Sequence, residues 1–178
     1  NFFLGIRPGD RVLVADFEED GSGPKPGLNQ PVIGITAIGL DEWHHAAVTF
    51  DGTEWRLYLD GRLESTLAVG RLPRADSIQH ASLATTLDST GITPSGSFAG
   101  VLDEARIWNV ARTAMQINQH LAVPLASAPG LIGRWGMDEG SGTTLTNSAG
   151  SGGAIYNPYN FIKTFLFRSA FVWNSNAL

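Results

Sequence analysis

The acidic residues of this chain have the spacing that metal binding or acid–base chemistry would require. Asp16, Glu18 and Asp20 alternate along one stretch, and a glycine follows directly. This order matches the first half of a calcium-binding loop, but Gly27 stands where such a loop needs a glutamate. On a strand that extended this far, the three side chains would share one face. Asp16, Glu18 and Asp20 are therefore one candidate metal site, and a solvated turn is the alternative.

The arrangements that activate a nucleophile are absent from the sequence. The chain has no cysteine, which excludes thiolate catalysis, disulfides and cysteine-ligated zinc. It has no Gly-x-Ser-x-Gly motif, and the adjacent His44 and His45 would point to opposite faces of a strand. We therefore predict that the protein is not an enzyme and has no catalytic residues.

Composition limits the class of protein and its partners. The 178 residues are 43% hydrophobic and 16% charged, as expected for one globular domain. The net charge of −5 and the scattered basic residues argue against nucleic acid as a partner. No apolar run approaches the roughly 20 residues of a bilayer span, so we expect no membrane insertion. A cysteine-free, β-rich chain suits a secreted bacterial protein, extracellular or on the cell surface, and a cytoplasmic protein without cysteine is the alternative.

Two Asp-Gly pairs organise the middle of the chain. They stand at 51–52 and 60–61, between runs of aromatic, β-branched and leucine residues. Asp-Gly favours tight hairpin turns, so the pattern predicts consecutive antiparallel strands over 43–67. Further strands are predicted over 2–6, 11–17, 31–38, 82–86 and 97–108, the last with a bulge at Gly100. One short helix is predicted near 113–121, because Thr113 and Gln116 have the spacing of a capping box.

Two sequence motifs resemble those of one known family. In the first, Trp43-His44-His45 precedes a hairpin at Tyr58-Leu59-Asp60-Gly61, and the second motif occupies 100–109. In this order they resemble the laminin-G-like, or concanavalin-A-like, jelly-roll domains. The resemblance implies an all-β fold, an antiparallel two-sheet jelly-roll sandwich with one short helix. The glycosidase signature of the wider family, Glu-x-Asp-x-x-Glu, does not occur.

The resemblance also implies a metal site. Relatives hold a structural calcium where the opening turn meets the last strand, which here corresponds to Asp103, Asp138 and Gly140. An alternative is that Asp103 accepts a hydrogen bond from Arg106, Arg134 or a backbone amide, since a buried carboxylate must have a partner. Calcium is therefore the one cofactor expected, and the ligand-binding residues are expected in the loops 18–30, 70–80 and 87–96.

A motif of the same family recurs towards the end of the chain. Residues 130–144 resemble the opening strand of such a module, although they follow its end. We divide the chain into a jelly roll over 1–125 that lacks its usual opening strand, a linker over 126–130, and an opening-strand-like segment over 131–155. That segment either completes the first module or begins a second repeat. An aromatic-rich tail, 156–178, follows, and we expect self-association through 131–178.

Three functions fit these observations. The preferred one is a non-catalytic extracellular module that binds a glycan or a protein, with calcium as a structural ion. A structural or adhesive repeat of a surface protein is the second. A jelly-roll glycoside hydrolase is the third, and it would need two carboxylates about 5 to 10 Å apart in a groove.

Overall fold

The fold was analysed on a computed structural model. It describes residues 2–20, 27–74, 82–87, 93–141, 145–149 and 164–171. The predicted ligand loops and the segment 131–155 therefore fall partly, and the tail mostly, outside the described residues. The strands are β1 (Phe2–Arg7), β2 (Val12–Phe17), β3 (Val32–Ile33), β4 (Glu42–Phe50), β5 (Glu54–Leu59), β6 (Arg62–Ala68), β7 (Thr85–Leu87), β8 (Pro94–Ser97), β9 (Val101–Trp108), β10 (Leu131–Trp135) and β11 (Thr164–Phe171). The helix α1 spans Ala114–Asn118.

The strands form two main antiparallel sheets. The smaller has the order β1-β2-β3, and the larger has the order β10-β9-β11-β4-β5-β6. A two-stranded ribbon pairs β7 with β8. The predicted all-β, antiparallel, two-sheet sandwich with one short helix is confirmed. Two boundaries are wrong, because 98–100 interrupt the predicted strand 97–108, and only β3 is a strand within 31–38.

The predicted strand 31–38 ends early, after β3, for a clear physical reason. After β3, the backbone N–H groups of Ile35 and Thr36 donate to the Glu64 carboxylate at 2.9 and 2.8 Å rather than to a neighbouring strand. Gly34 N still donates to Leu13 O on β2 at 2.8 Å. The carboxylate thus replaces the ladder and ends the strand.

The predicted hairpins of the central meander are present. Asp60 and Gly61 both have positive φ, +50° and +74°, as a type I′ turn requires. The turn at Asp51 is three residues long, and its carboxylate accepts from Thr53 N at 2.9 Å and Glu54 N at 2.8 Å. Local turn chemistry therefore sets the register of β4, β5 and β6.

A hydrophobic core lies between the two main sheets. Phe17 of β2 contacts Phe50 and Trp55, with ring centroids 5.2 and 5.1 Å apart. Ala46, Val48 and Leu57 complete its centre, and Ile132 and Trp135 of β10 pack against its margin. The opening-strand-like segment thus packs with the body of the sandwich, where β10 is antiparallel to β9. The division at 125, 130 and 155 stays a prediction.

A second cluster covers the other face of the larger sheet. Ala47, Tyr58 and Trp108 pack there against Ile117 of α1, with Leu121, Leu125, Ala128 and Leu131 at the margin. The capping box at Thr113 and Gln116 is present. Met115 of the helix is exposed. Both faces of the larger sheet are therefore covered.

In the part of the chain that the structure describes, no helix is long and apolar enough to cross a membrane. This finding agrees with the sequence, in which no run of that length occurs.

Candidate functional site

Glu104, and not Asp103, is the carboxylate that turns into the protein from the acidic pair on β9. Its φ of +55° breaks the alternation of the strand, so that every residue from Glu104 to Trp108 is buried. A bulge had been predicted at Gly100, four residues earlier. The irregularity occurs at Glu104 because turning the carboxylate inward brings it to two arginines.

Arg106 on β9 and Arg134 on β10 both bind the Glu104 carboxylate. Arg106 donates to Glu104 Oε2 through Nε at 3.0 Å and Nη2 at 2.7 Å. Arg134 on β10 donates from Nε to the same oxygen at 3.1 Å and from Nη2 to Oε1. Burial raises the pKa of Glu104, but the hydrogen bonds from Arg134 and Arg106 outweigh it, so the pKa lies below its ordinary value. The carboxylate is thus ionised and joins β10 to β9.

Arg106 also holds the segment that follows the helix. Its Nη1 donates to the carbonyl oxygen of His120 at 3.1 Å, and its Nη2 donates to that of Val123 at 2.8 Å. Next to it, the Arg112 guanidinium lies 4.0 Å from the Trp108 ring centroid, close enough for a cation–π contact. Burial, and then the charge of Arg106, lower the pKa of Arg112. These contacts attach α1 and its flanking segments to β9.

The predicted calcium site at Asp103, Asp138 and Gly140 lies beside Arg134. Hydrogen bonding to Glu104 raises the pKa of Arg134 most, and the nearby charges of Asp138 and Asp103 raise it further. A Cβ added at Gly136 would lie 2.7 Å from Asp138 Oδ2 and 3.1 Å from Arg134 Nη2. The positively charged guanidinium of Arg134 therefore lies near Asp103 and Asp138.

The alternative site at Asp16, Glu18 and Asp20 is not assembled as the alternation suggested. β2 ends at Phe17, so the three residues do not belong to one regular strand. Glu18 accepts from Arg74 Nη1 at 2.8 Å. Burial raises the pKa of Asp16. Among the described residues, no three acidic or histidine side chains are grouped as a metal would require. Both metal sites stay predictions.

Trp43 presents an exposed aromatic surface at the start of β4. Its side chain is 49% exposed, whereas the buried tryptophans are Trp55 and Trp108. Next to it, Asp60 accepts from His45 N at 2.7 Å and pairs with His44 Nδ1 at 2.8 Å. These bonds fasten the strand end to the β5–β6 turn. We call this end of β4 the rim surface, with Trp43 on one face of the strand and Glu42 and Asp60 beside His44 on the other.

Sequence reasoning did not select the rim surface, because it looked for ligand groups in the long loops. The signal available was the position of Trp43 at the end of a strand. Neighbouring elements cover such an end less completely than the middle of the strand, and Trp43 is 49% exposed.

The comparisons with known proteins agree with the fold. A laminin-G family model, described as the Concanavalin A-like lectin/glucanases superfamily, matches residues 2–118. No curated protein and no solved structure gives a significant match. The match covers β1 to α1, which includes the meander, β9 and the rim surface. The chain therefore belongs to the Concanavalin A-like lectin/glucanases superfamily.

Proposed function

We propose that this chain is a non-catalytic, extracellular module that binds a glycan or a protein through its rim surface. The observation that carries the proposal is the half-exposed indole of Trp43 on a strand end held by Asp60. An exposed indole can stack on the apolar face of a sugar or on a partner's side chain, while carboxylates nearby accept hydrogen bonds. A rigid strand loses little entropy when it binds.

The pairing of the acidic groups supports binding over hydrolysis. A glycosidase needs two carboxylates facing each other across a substrate groove. In the described ranges, Glu104 is paired with two arginines, Glu18 with Arg74 and Asp51 with Arg56. A carboxylate held by an arginine is a weak base and a poor general acid. These pairings leave the binding role as the better supported of the two.

Calcium is not needed by this proposal. The resemblance placed it at Asp103 and Asp138, where the guanidinium of Arg134 already supplies positive charge. Bringing a divalent cation next to that guanidinium would be opposed by repulsion between like charges. The donor groups described there therefore fit calcium poorly.

A structural or adhesive repeat is the second candidate function. It is favoured by the renewed family motif at 130–144, which is what a tandem array of such modules would show. An array spacer would bind no ligand through the rim surface, which separates the two functions experimentally.

We expect Trp43→Ala to weaken glycan binding by about tenfold, because aromatic stacking contributes about 0.5–1.5 kcal/mol beyond the buried area. The measurement is a glycan array with purified protein, with and without calcium, followed by titration of the best ligand. Leu63→Ala is the matched control, since Leu63 is 54% exposed on β6 and lies outside the rim surface. Equal binding by wild type and the Trp43 variant would refute the rim site. No binding to any glycan or to extracellular protein would favour the repeat.

We also expect no hydrolysis of polysaccharides by the purified chain, since Glu104, Glu18 and Asp51 are each paired with an arginine and the glycosidase signature does not occur. The measurement is the release of reducing ends from a panel of polysaccharides over a long incubation. Turnover that Glu18→Gln abolishes would show that the protein is a glycosidase after all.

A further inference from the structure

An interior position of the larger sheet is occupied by a strand from near the end of the chain. β4 and β9 are separated in the sheet order, and β11 lies between them, antiparallel to both. We call this gap the strand slot. Its walls are buried strands, from His45 to Phe50 on β4 and from Glu104 to Trp108 on β9. Each backbone group left unpaired there would cost about 1–3 kcal/mol, so the slot needs an occupant.

The occupant is bound only by the two walls of the slot. Among the described elements, β11 makes extensive contacts with β4 and β9 and with no other strand. β10, the strand that precedes it in sequence, lies on the far side of β9. Among the described elements, β11 therefore does not pair with β10, the strand that comes before it in the sequence. The same hydrogen bonds would form if β11 came from a different molecule.

The long connection between β10 and β11 weakens the preference of β11 for the slot of its own chain over the slot of another copy. Residues 136–163 separate the two strands. Connections longer than about 12–15 residues are uncommon in compact domains, and the effective concentration of a tethered strand falls with the −3/2 power of the connection's length. Each copy offers one strand and one slot, so two copies can satisfy each other in a closed pair.

We propose that β11 is exchanged between two copies of this chain, so that residues 164–171 of each copy fill the strand slot of the other. The partner is a second copy, because the slot pairs with a segment that every copy carries. Strand addition supplies the affinity through the backbone, and the register Thr164↔Thr49 to Phe171↔Glu42 defines the geometry. The proposal does not depend on the ligand bound by the rim surface.

Disulfide cross-linking between variants tests the exchange, because the natural chain has no cysteine. Val101 on β9 lies opposite Ala170 on β11. Facing Cα atoms in an antiparallel pair are about 4.5–5.5 Å apart, within the range a disulfide spans. Full-length Val101→Cys and Ala170→Cys chains, one carrying a longer tag, are unfolded in urea, refolded together at increasing concentration and oxidised. We expect a mixed disulfide dimer whose yield rises with concentration, several-fold above the control pair.

The control pair is Glu54→Cys mixed with Ala68→Cys. These residues face each other on β5 and β6, which are joined by a two-residue turn and do not exchange. A mixed dimer from the β9 and β11 variants that does not exceed this control overturns the proposal. The double variant Val101→Cys/Ala170→Cys, oxidised at low concentration, should close within one chain. If it forms no disulfide in either state, the pairing itself is absent and the proposal also fails.

Discussion

Glu104→Gln is expected to lower the free energy of unfolding by about 3–5 kcal/mol, the cost of removing one partner from a buried ion pair. The side chains of Glu104 and Arg106 are only 5% and 3% exposed, and Arg134 shares the same carboxylate. Losing the negative charge would leave two guanidinium groups close together without compensation. Urea unfolding of the variant and the wild type at neutral pH measures the loss.

The control for Glu104→Gln is Glu54→Gln. Glu54 also pairs with an arginine, but its side chain is 42% exposed, and exposed pairs contribute only about 0–1 kcal/mol. Equal effects of the two substitutions would contradict the structural role assigned to the Glu104 cluster.

The pH dependence of the stability of the wild type and of Glu104→Gln gives an independent check. The pKa of Glu104 is lower in the folded state than in the unfolded chain. A carboxylate of this kind contributes stability above its unfolded pKa, and the contribution is lost as the pH falls through the folded pKa. Wild-type stability should therefore drop more steeply than that of Glu104→Gln as the solution is acidified below about pH 4.5. Parallel curves would contradict this prediction.

Trp108→Ala is expected to cost about 3–5 kcal/mol, since it removes a large aromatic side chain from a fully buried position. Trp108 has no exposed surface, it packs with Ile117 of the helix, and Arg112 lies over its ring. The substitution would open a cavity under the helix and remove the cation–π contact. Chemical denaturation measures the loss.

Trp43→Ala is the matched control for Trp108→Ala, because it removes the same side chain from a half-exposed position. We expect it to cost less than half as much, since less apolar surface returns to water. If the two variants were equally stable, the second cluster would not be part of the stable core.

The features that could be predicted from the sequence are those with local causes. Asp60 and Gly61 adopt positive φ because of their own chemistry, and the turn they form sets the meander. The capping box at Thr113 and Gln116 is likewise a short-range pairing. For this reason, the strands over 43–67 and the start of the helix were predicted closely.

The features that could not be predicted depend on distant partners. Simple alternation did not identify Glu104 as the inward acid, because its positive φ is maintained by arginines from β9 and β10. Trp55 and Tyr58 point to opposite faces of β5, and both are buried, because α1 and the segment after it cover the face that would otherwise be open. The position of β11 inside the sheet was also unpredictable, because its partners lie more than fifty residues away in sequence.

The covering of both faces of the larger sheet has a consequence for engineering this domain. Substitutions within the strands disturb one packed cluster or the other, so a library of variants there would mostly yield unstable proteins. Positions at or just before the start of β4, such as Leu40 and Trp43, are exposed and can vary at lower cost. With no cysteine to oxidise, the domain could serve as a display scaffold whose new specificities are selected at one end of the sheet.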